Sequence, residues 1–224
     1  MTTDLLPAIE IETGVQPDAA VIWMHGLGDD GRGWSEIVPA LKLPSTLRVR
    51  FIFPHAPVIG VTINNGYRMR AWYDIRDNDF NARADIEGVK RSQQQVEALI
   101  AREKARGIRP RRIVLAGFSQ GGAIALYAGL RHRERLAAIV ALSTYVIAPA
   151  SLVLEADVAN RDVPIFMAHG TDDQVVLLRW AEASRRVLVD AGYDVEWHTY
   201  AMPHSAVVEE IDAISRFLQR ALSG

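Results

Sequence analysis

Short apolar runs alternate with longer amphipathic stretches along the whole chain. Residues 19–24, 49–53, 113–116, 136–142, 163–168 and 193–200 are rich in apolar, β-branched or aromatic residues and short enough to be strands. Helical patterns lie between and after them. Ile86, Val89, Val96, Leu99 and Ile100 recur at helical spacing within residues 84–106, which Gly107 and Pro110 close. Residues 34–41 suit a short helix, with Pro44 beyond it. Residues 177–191 suit a helix stopped by Gly192. Residues 205–222 suit a terminal helix with Val208, Ile211, Ile214, Phe217 and Leu218 on its inner face. Two long connections remain, residues 54–79 and 143–162. The first holds Asn64-Asn65-Gly66, a hairpin-turn signal. A connection of that length inside a compact domain is usually functional.

This alternation predicts an α/β fold, residues 1–224 forming one domain around a mostly parallel sheet with helices on both faces. It leaves no room for a separate cap domain. In such a sheet the site forms at the carboxyl ends of the strands.

One strand-to-helix junction carries a chemical signature. Gly117-Phe118-Ser119-Gln120-Gly121-Gly122 reads G-x-S-x-G, between the run 113–116 and the helix-forming residues 123–128. A serine on so tight a turn has its hydroxyl pushed out of the sheet, and the new helix points free N–H groups at it. A serine hydroxyl is a weak nucleophile and needs a base, which needs an orienting carboxylate. On this fold the chain order is Ser, then Asp or Glu, then His. Among the later histidines only His204 combines that order with a loop after the last strand; His169 precedes the acid loop and suits a bracing role, and His198 lies inside a strand. Asp172 and Asp173 both follow the strand ending at 168, and spacing does not choose between them. Two N–H donors are needed for the oxyanion: Gln120 follows the serine, and Leu27 lies in the glycine-rich loop after the first strand. That loop lacks the spacing of a phosphate cradle.

Composition narrows the chemistry. A length of 224 residues, 49 % hydrophobic content and a net charge of -2 describe an ordinary globular chain with no nucleic-acid footprint. There is no cysteine, which excludes disulfides, thiolate metal sites and a cysteine nucleophile. The histidines are scattered without metal-ligand spacing, so no metal or cofactor is expected. No signal-peptide pattern and no apolar run of membrane-spanning length occur, so the expected location is cytoplasmic, with no stable membrane insertion.

The chain resembles the carboxylesterase, phospholipase and acyl-protein thioesterase family of small α/β-hydrolases. The likeness rests on Met24-His25-Gly26-Leu27-Gly28-Asp29, Phe53-Pro54-His55-Ala56-Pro57, Val61-Thr62-Ile63-Asn64, Met69-Arg70-Ala71-Trp72-Tyr73-Asp74-Ile75, the serine motif, Leu142-Ser143-Thr144-Tyr145, His169-Gly170-Thr171-Asp172-Asp173-Gln174-Val175-Val176 and Met202-Pro203-His204. The family motif H-G-x-x-D-x-x-V, set on His169 and Val176, implies Asp173 as the acid. Leu177 stands where many relatives have proline, and His55 where they have asparagine. The resemblance implies a serine carboxylesterase acting on short to medium acyl esters or lipid-like substrates. An acyl-protein thioesterase or lysophospholipase could use the same site, and a non-catalytic binding module on the fold is the remaining alternative. Trp72, Ile59, Val176 and Leu177 are the candidate acyl contacts. Relatives often form homodimers, though no dimer patch is legible in the chain.

Overall fold

The computed structural model describes residues 5–77 and 84–223. The last residues of the long connection at 54–79, Asn78 and Asp79, lie outside the described residues, as do residues 1–4. Nine strands are present among those described: β1 Ala8–Glu12, β2 Ala19–Met24, β3 Val49–Pro54, β4 Val58–Val61, β5 Tyr67–Arg70, β6 Ile113–Phe118, β7 Ala138–Leu142, β8 Ile165–Gly170 and β9 Val195–Tyr200. The helices are α1 Arg32–Ser35, α2 Ile37–Ala40, α3 Ile86–Ala105, α4 Gln120–Arg131, α5 Pro149–Glu155, α6 Leu178–Asp190 and α7 Val208–Leu222.

Seven strands form one sheet in the order β1-β3-β2-β6-β7-β8-β9. Every pairing from β3 to β9 is parallel, and only β1 is antiparallel. The inner strands β2, β6 and β7 read as unbroken apolar runs because both faces are covered. Along β2, Ala20, Ile22 and Met24 join the core under α3 and α4, while Ala19, Val21 and Trp23 join the core under α7. Burying each large apolar side chain contributes about 1.5–3 kcal/mol. The expected α/β fold, a mostly parallel sheet with helices on both faces, is the observed one.

Three details differ from the sequence-based reading. The edge strand β1 was not expected; its alternating Ala-Ile-Glu-Ile-Glu leaves Ile9 and Ile11 half-buried and Glu10 and Glu12 exposed. The connection 143–162 contains α5, a short helix of which only Leu152 is buried, so it leaves almost no periodic signal. Val208 is 67 % exposed at the start of α7 rather than on its inner face, which Ile214, Phe217 and Leu218 form. The Asn-Gly signal does make a hairpin. Asn65 (φ 54°) and Gly66 (φ 76°) turn the chain so that β4 pairs antiparallel with β5.

Candidate active site

The carboxyl ends of β2, β6, β8 and β9 bring four loops to one edge of the sheet. Ser119 occupies the sharpest turn. It directly follows β6 and directly precedes α4, at φ 54° and ψ −120°. Few non-glycine residues hold such a backbone, and they persist only where surrounding structure imposes it. Here the constraint is visible. The Ser119 N–H donates to Leu142 O at 2.8 Å, and its carbonyl accepts from Thr144 Oγ1 at 2.6 Å. The close return of α4 on the strands requires glycine. A Cβ at Gly117 would fall 2.3 Å from the Gly121 carbonyl carbon, and one at Gly121 would fall 2.3 Å from Met24 O.

The acid loop follows β8. Asp173 is 2 % exposed, and its Oδ2 lies 2.6 Å from His204 Nδ1. Its Oδ1 accepts from the Val175 and Val176 N–H groups at 2.8 and 2.9 Å. Burial alone would raise the carboxyl's pKa. The His204 bond and the Val176 and Val175 N–H groups outweigh it and leave the pKa below the ordinary value. Asp173 is therefore a charged acceptor, which makes His204 Nδ1 the donor and leaves Nε2 bare in the neutral ring. Asp172 is exposed and faces away.

His169 braces this loop. It is fully buried, and its Nε2 lies 2.7 Å from Val176 O and 3.4 Å from Asp173 Oδ2. A carbonyl only accepts, so Nε2 carries the proton. Burial lowers the affinity of this ring for a second one.

The glycine-rich loop after β2 is fixed by His25. The Ala56 N–H donates to His25 Nε2 at 3.1 Å, so the ring proton sits on Nδ1 and is donated to Gly26 O at 2.7 Å. Burial again holds this ring neutral. The loop lies beside the serine turn: a Cβ on Gly26 would fall 3.5 Å from Ser119 Cβ. Among the described residues neither the Leu27 nor the Gln120 N–H donates to another group. Gln120 opens α4, where an N–H has no partner within the helix.

The structure joins His204 to Asp173 directly. It carries no hydrogen bond from Ser119 Oγ to His204 among the described residues; such bonds are often long before substrate binds. Phe118 connects the two, its ring 4.6 Å from the His204 ring and its backbone adjoining Ser119.

Of the four candidate acyl contacts, Trp72 and Val176 are each 2 % exposed. Trp72 Nε1 donates to His25 O at 2.9 Å, and the backbone of Val176 clamps the acid loop through His169 and Asp173. Ile59 and Leu177 are half-buried. Ile59 pairs across the hairpin with Met69, whose Sδ would lie 3.7 Å from a Cβ on Gly28. The hairpin is thereby held against the glycine-rich loop, where the Gly28 N–H donates to Arg70 O at 2.8 Å.

Sequence reasoning missed the Gln120 side chain. Its Oε1 accepts from the Trp72 N–H at 2.8 Å, and its Nε2 donates to Tyr73 O at 2.7 Å. One buried amide thus ties the serine turn to the long connection after β3. Nothing in a linear motif reveals a partner 48 residues away. No group of three or more potential metal ligands occurs among the described residues, and no described helix is long and apolar enough to cross a membrane.

The sequence profile of the phospholipase/carboxylesterase family matches residues 7–222. The chain is 41 % identical to acyl-protein thioesterase 1 of Gibberella zeae, over 99 % of this chain and 98 % of the relative. It is 43 % identical to acyl-protein thioesterase 1 of Neurospora crassa, over 97 % and 91 %. Among solved structures, Arabidopsis thaliana SOBER1 superposes with a TM-score of 0.87 at 31 % identity, covering 92 % of this chain and 99 % of that one. Zea mays acyl-protein thioesterase 2 gives 0.87 at 28 % identity, covering 97 % and 99 %.

Proposed function

The chain belongs to the phospholipase/carboxylesterase family and is thus a serine hydrolase of ester or thioester bonds, and we propose that acyl thioesters on proteins are its preferred substrates. Near full-length likeness to acyl-protein thioesterases carries this preference. The sequence reading put small acyl esters first; the same site hydrolyses them as the secondary reaction.

Ser119 Oγ attacks the acyl carbonyl while His204 Nε2 takes its proton. Asp173 holds the imidazole through Nδ1 and stabilises the imidazolium. The carbonyl oxygen becomes negative and is met by the Leu27 and Gln120 N–H groups, each worth on the order of a hundredfold in turnover. His204 returns the proton to the departing sulfur or oxygen, and water resolves the acyl-enzyme by the reverse sequence. Ile59, with Met69 across the hairpin, Leu177, Trp72 and Val176 are the residues assigned to the wall that borders the acyl chain. The support is the 2.6 Å bond between His204 and Asp173 beside a serine held at φ 54°.

The test compares kcat/KM for acyl-thioester peptides with that for small esters of the same acyl length. A higher value for the peptides is expected; a clear preference for the esters returns the protein to the carboxylesterase reading. A fluorophosphonate labels Ser119, and Ser119→Ala loses labelling and at least roughly 10^4-fold in kcat. A folded wild-type protein that resists labelling is a binding module.

A further inference from the structure

The residue before the serine is formally a free position of the G-x-S-x-G motif. In this fold it is not free. Phe118 ends β6 half-buried, and three groups converge on its ring. The His204 ring lies 4.6 Å away at 45°. Trp34 lies 5.2 Å away at 40° and stacks in turn at 5.3 Å on the fully buried Trp23. On a third side the ring meets the glycine-rich loop, since a Cβ on Gly26 would come within 3.3 Å of Phe118 Cδ1.

His204 needs such a wall. Its imidazole is 16 % exposed, and its hydrogen bond among the described residues is the one to Asp173. One bond at Nδ1 leaves the ring free to swing about that bond, which moves Nε2 through an arc. An aromatic surface backed by two tryptophans limits the swing. The same surface has an electrostatic effect: the negative face of a ring attracts a cation within about 6 Å. The cation here is the imidazolium formed when Ser119 gives up its proton.

We propose that Phe118 is a positioning residue for the base, its ring aiming His204 Nε2 at Ser119 and stabilising the imidazolium of the transition state. This rests on the reading of His204 as the base. The other titratable groups about His204 are Asp173, bonded to it, and His169, whose proton affinity is lowered chiefly by burial and further by a charge on His204. Glu182 acts on His169 from α6. Among the described residues, the ring contacts of Phe118 are with Trp34 and His204 and with none of these three groups.

The experiment compares wild type, Phe118→Leu and Phe118→Tyr, with competent sites counted by fluorophosphonate labelling. Phe118→Leu is expected to lose roughly tenfold or more in kcat with KM nearly unchanged, because misplacing a catalytic group affects the chemical step. Its acid limb in kcat/KM moves to lower pH by about half a unit, since the imidazolium loses a favourable neighbour. Phe118→Tyr keeps the ring and restores both. Pentafluorophenylalanine at 118 preserves the shape but reverses the polarity of the ring face, so it keeps packing and still moves the limb downward. If Phe118→Leu does not unfold cooperatively, this last protein decides. Wild-type kcat and an unmoved limb in folded Phe118→Leu, or an unmoved limb in the fluorinated protein, overturn the proposal. A wild-type protein without esterase or thioesterase turnover overturns instead the hydrolase reading beneath it.

Discussion

Glu210 makes the stability of this protein depend on pH in an unusual direction. It is the third residue of α7, fully buried, and neither carboxylate oxygen has a hydrogen-bond partner among the described residues. The Val207 backbone N–H, at the capping position where a third-residue Glu commonly reaches back, offsets part of the burial without closing a well-formed bond. Burial dominates and raises the carboxyl from 4.5 to about 7. The folded chain then holds a proton that the unfolded chain has released. Stability is fully present below about pH 4.5 and is lost as pH rises through about 7. The 2.5-unit difference corresponds to about 3 kcal/mol at the alkaline plateau. Glu210→Gln keeps the shape and removes the charge. Urea unfolding of both proteins across pH 4.5–8.5 measures the difference, and subtraction cancels the other groups. Among those are His25 and His169, whose burial lowers their pKa and costs stability as pH falls, the opposite slope. Glu210→Gln should equal wild type near pH 4.5 and exceed it by about 3 kcal/mol at pH 8. A difference that does not change with pH refutes the reasoning.

Three further outcomes are expected. Asp173→Asn lowers kcat by roughly 10^4-fold because an amide at 173 favours the wrong His204 tautomer, while Asp172→Asn stays near wild type; steady-state kinetics on both variants separates the neighbours. Gly121→Ala fails to give soluble folded protein, since its Cβ would lie 2.3 Å from Met24 O; circular dichroism and the yield of soluble chain report this. Acidification lowers kcat/KM, because protonated His204 has no lone pair for the serine proton; a flat profile into mild acid contradicts its role as base.

Periodicity made the sheet and its major helices legible because buried strands and amphipathic helices repeat their apolar positions locally. Residues 19–24, apolar without interruption, are a strand covered on both faces, and the Asn65-Gly66 pair is a hairpin turn. Two elements escaped the sequence-based reading: α5 buries one side chain and leaves almost no periodic signal, whereas β1 carries a strand's alternation over five residues that was passed over. The site divides the same way. G-x-S-x-G marks the turn at Ser119 because the close return of α4 leaves no room for a Cβ at Gly117, a constraint inside the motif itself, while Gly121 is also kept small by Met24 O on β2. Spacing left Asp172 and Asp173 equivalent, and the family likeness favoured the second. Folding separates them physically: Asp173 turns inward to two N–H groups and an imidazole, and Asp172 turns to solvent. Trp72 read as an acyl contact; folding buries its ring and hydrogen-bonds its Nε1 to His25 O in the glycine-rich loop, a partner no linear motif names. Chain neighbours carry their own information in the order of residues. Contacts such as Gln120 with Trp72, or Phe118 with Trp34 and His204, depend on where distant segments meet, and only the folded sheet sets that.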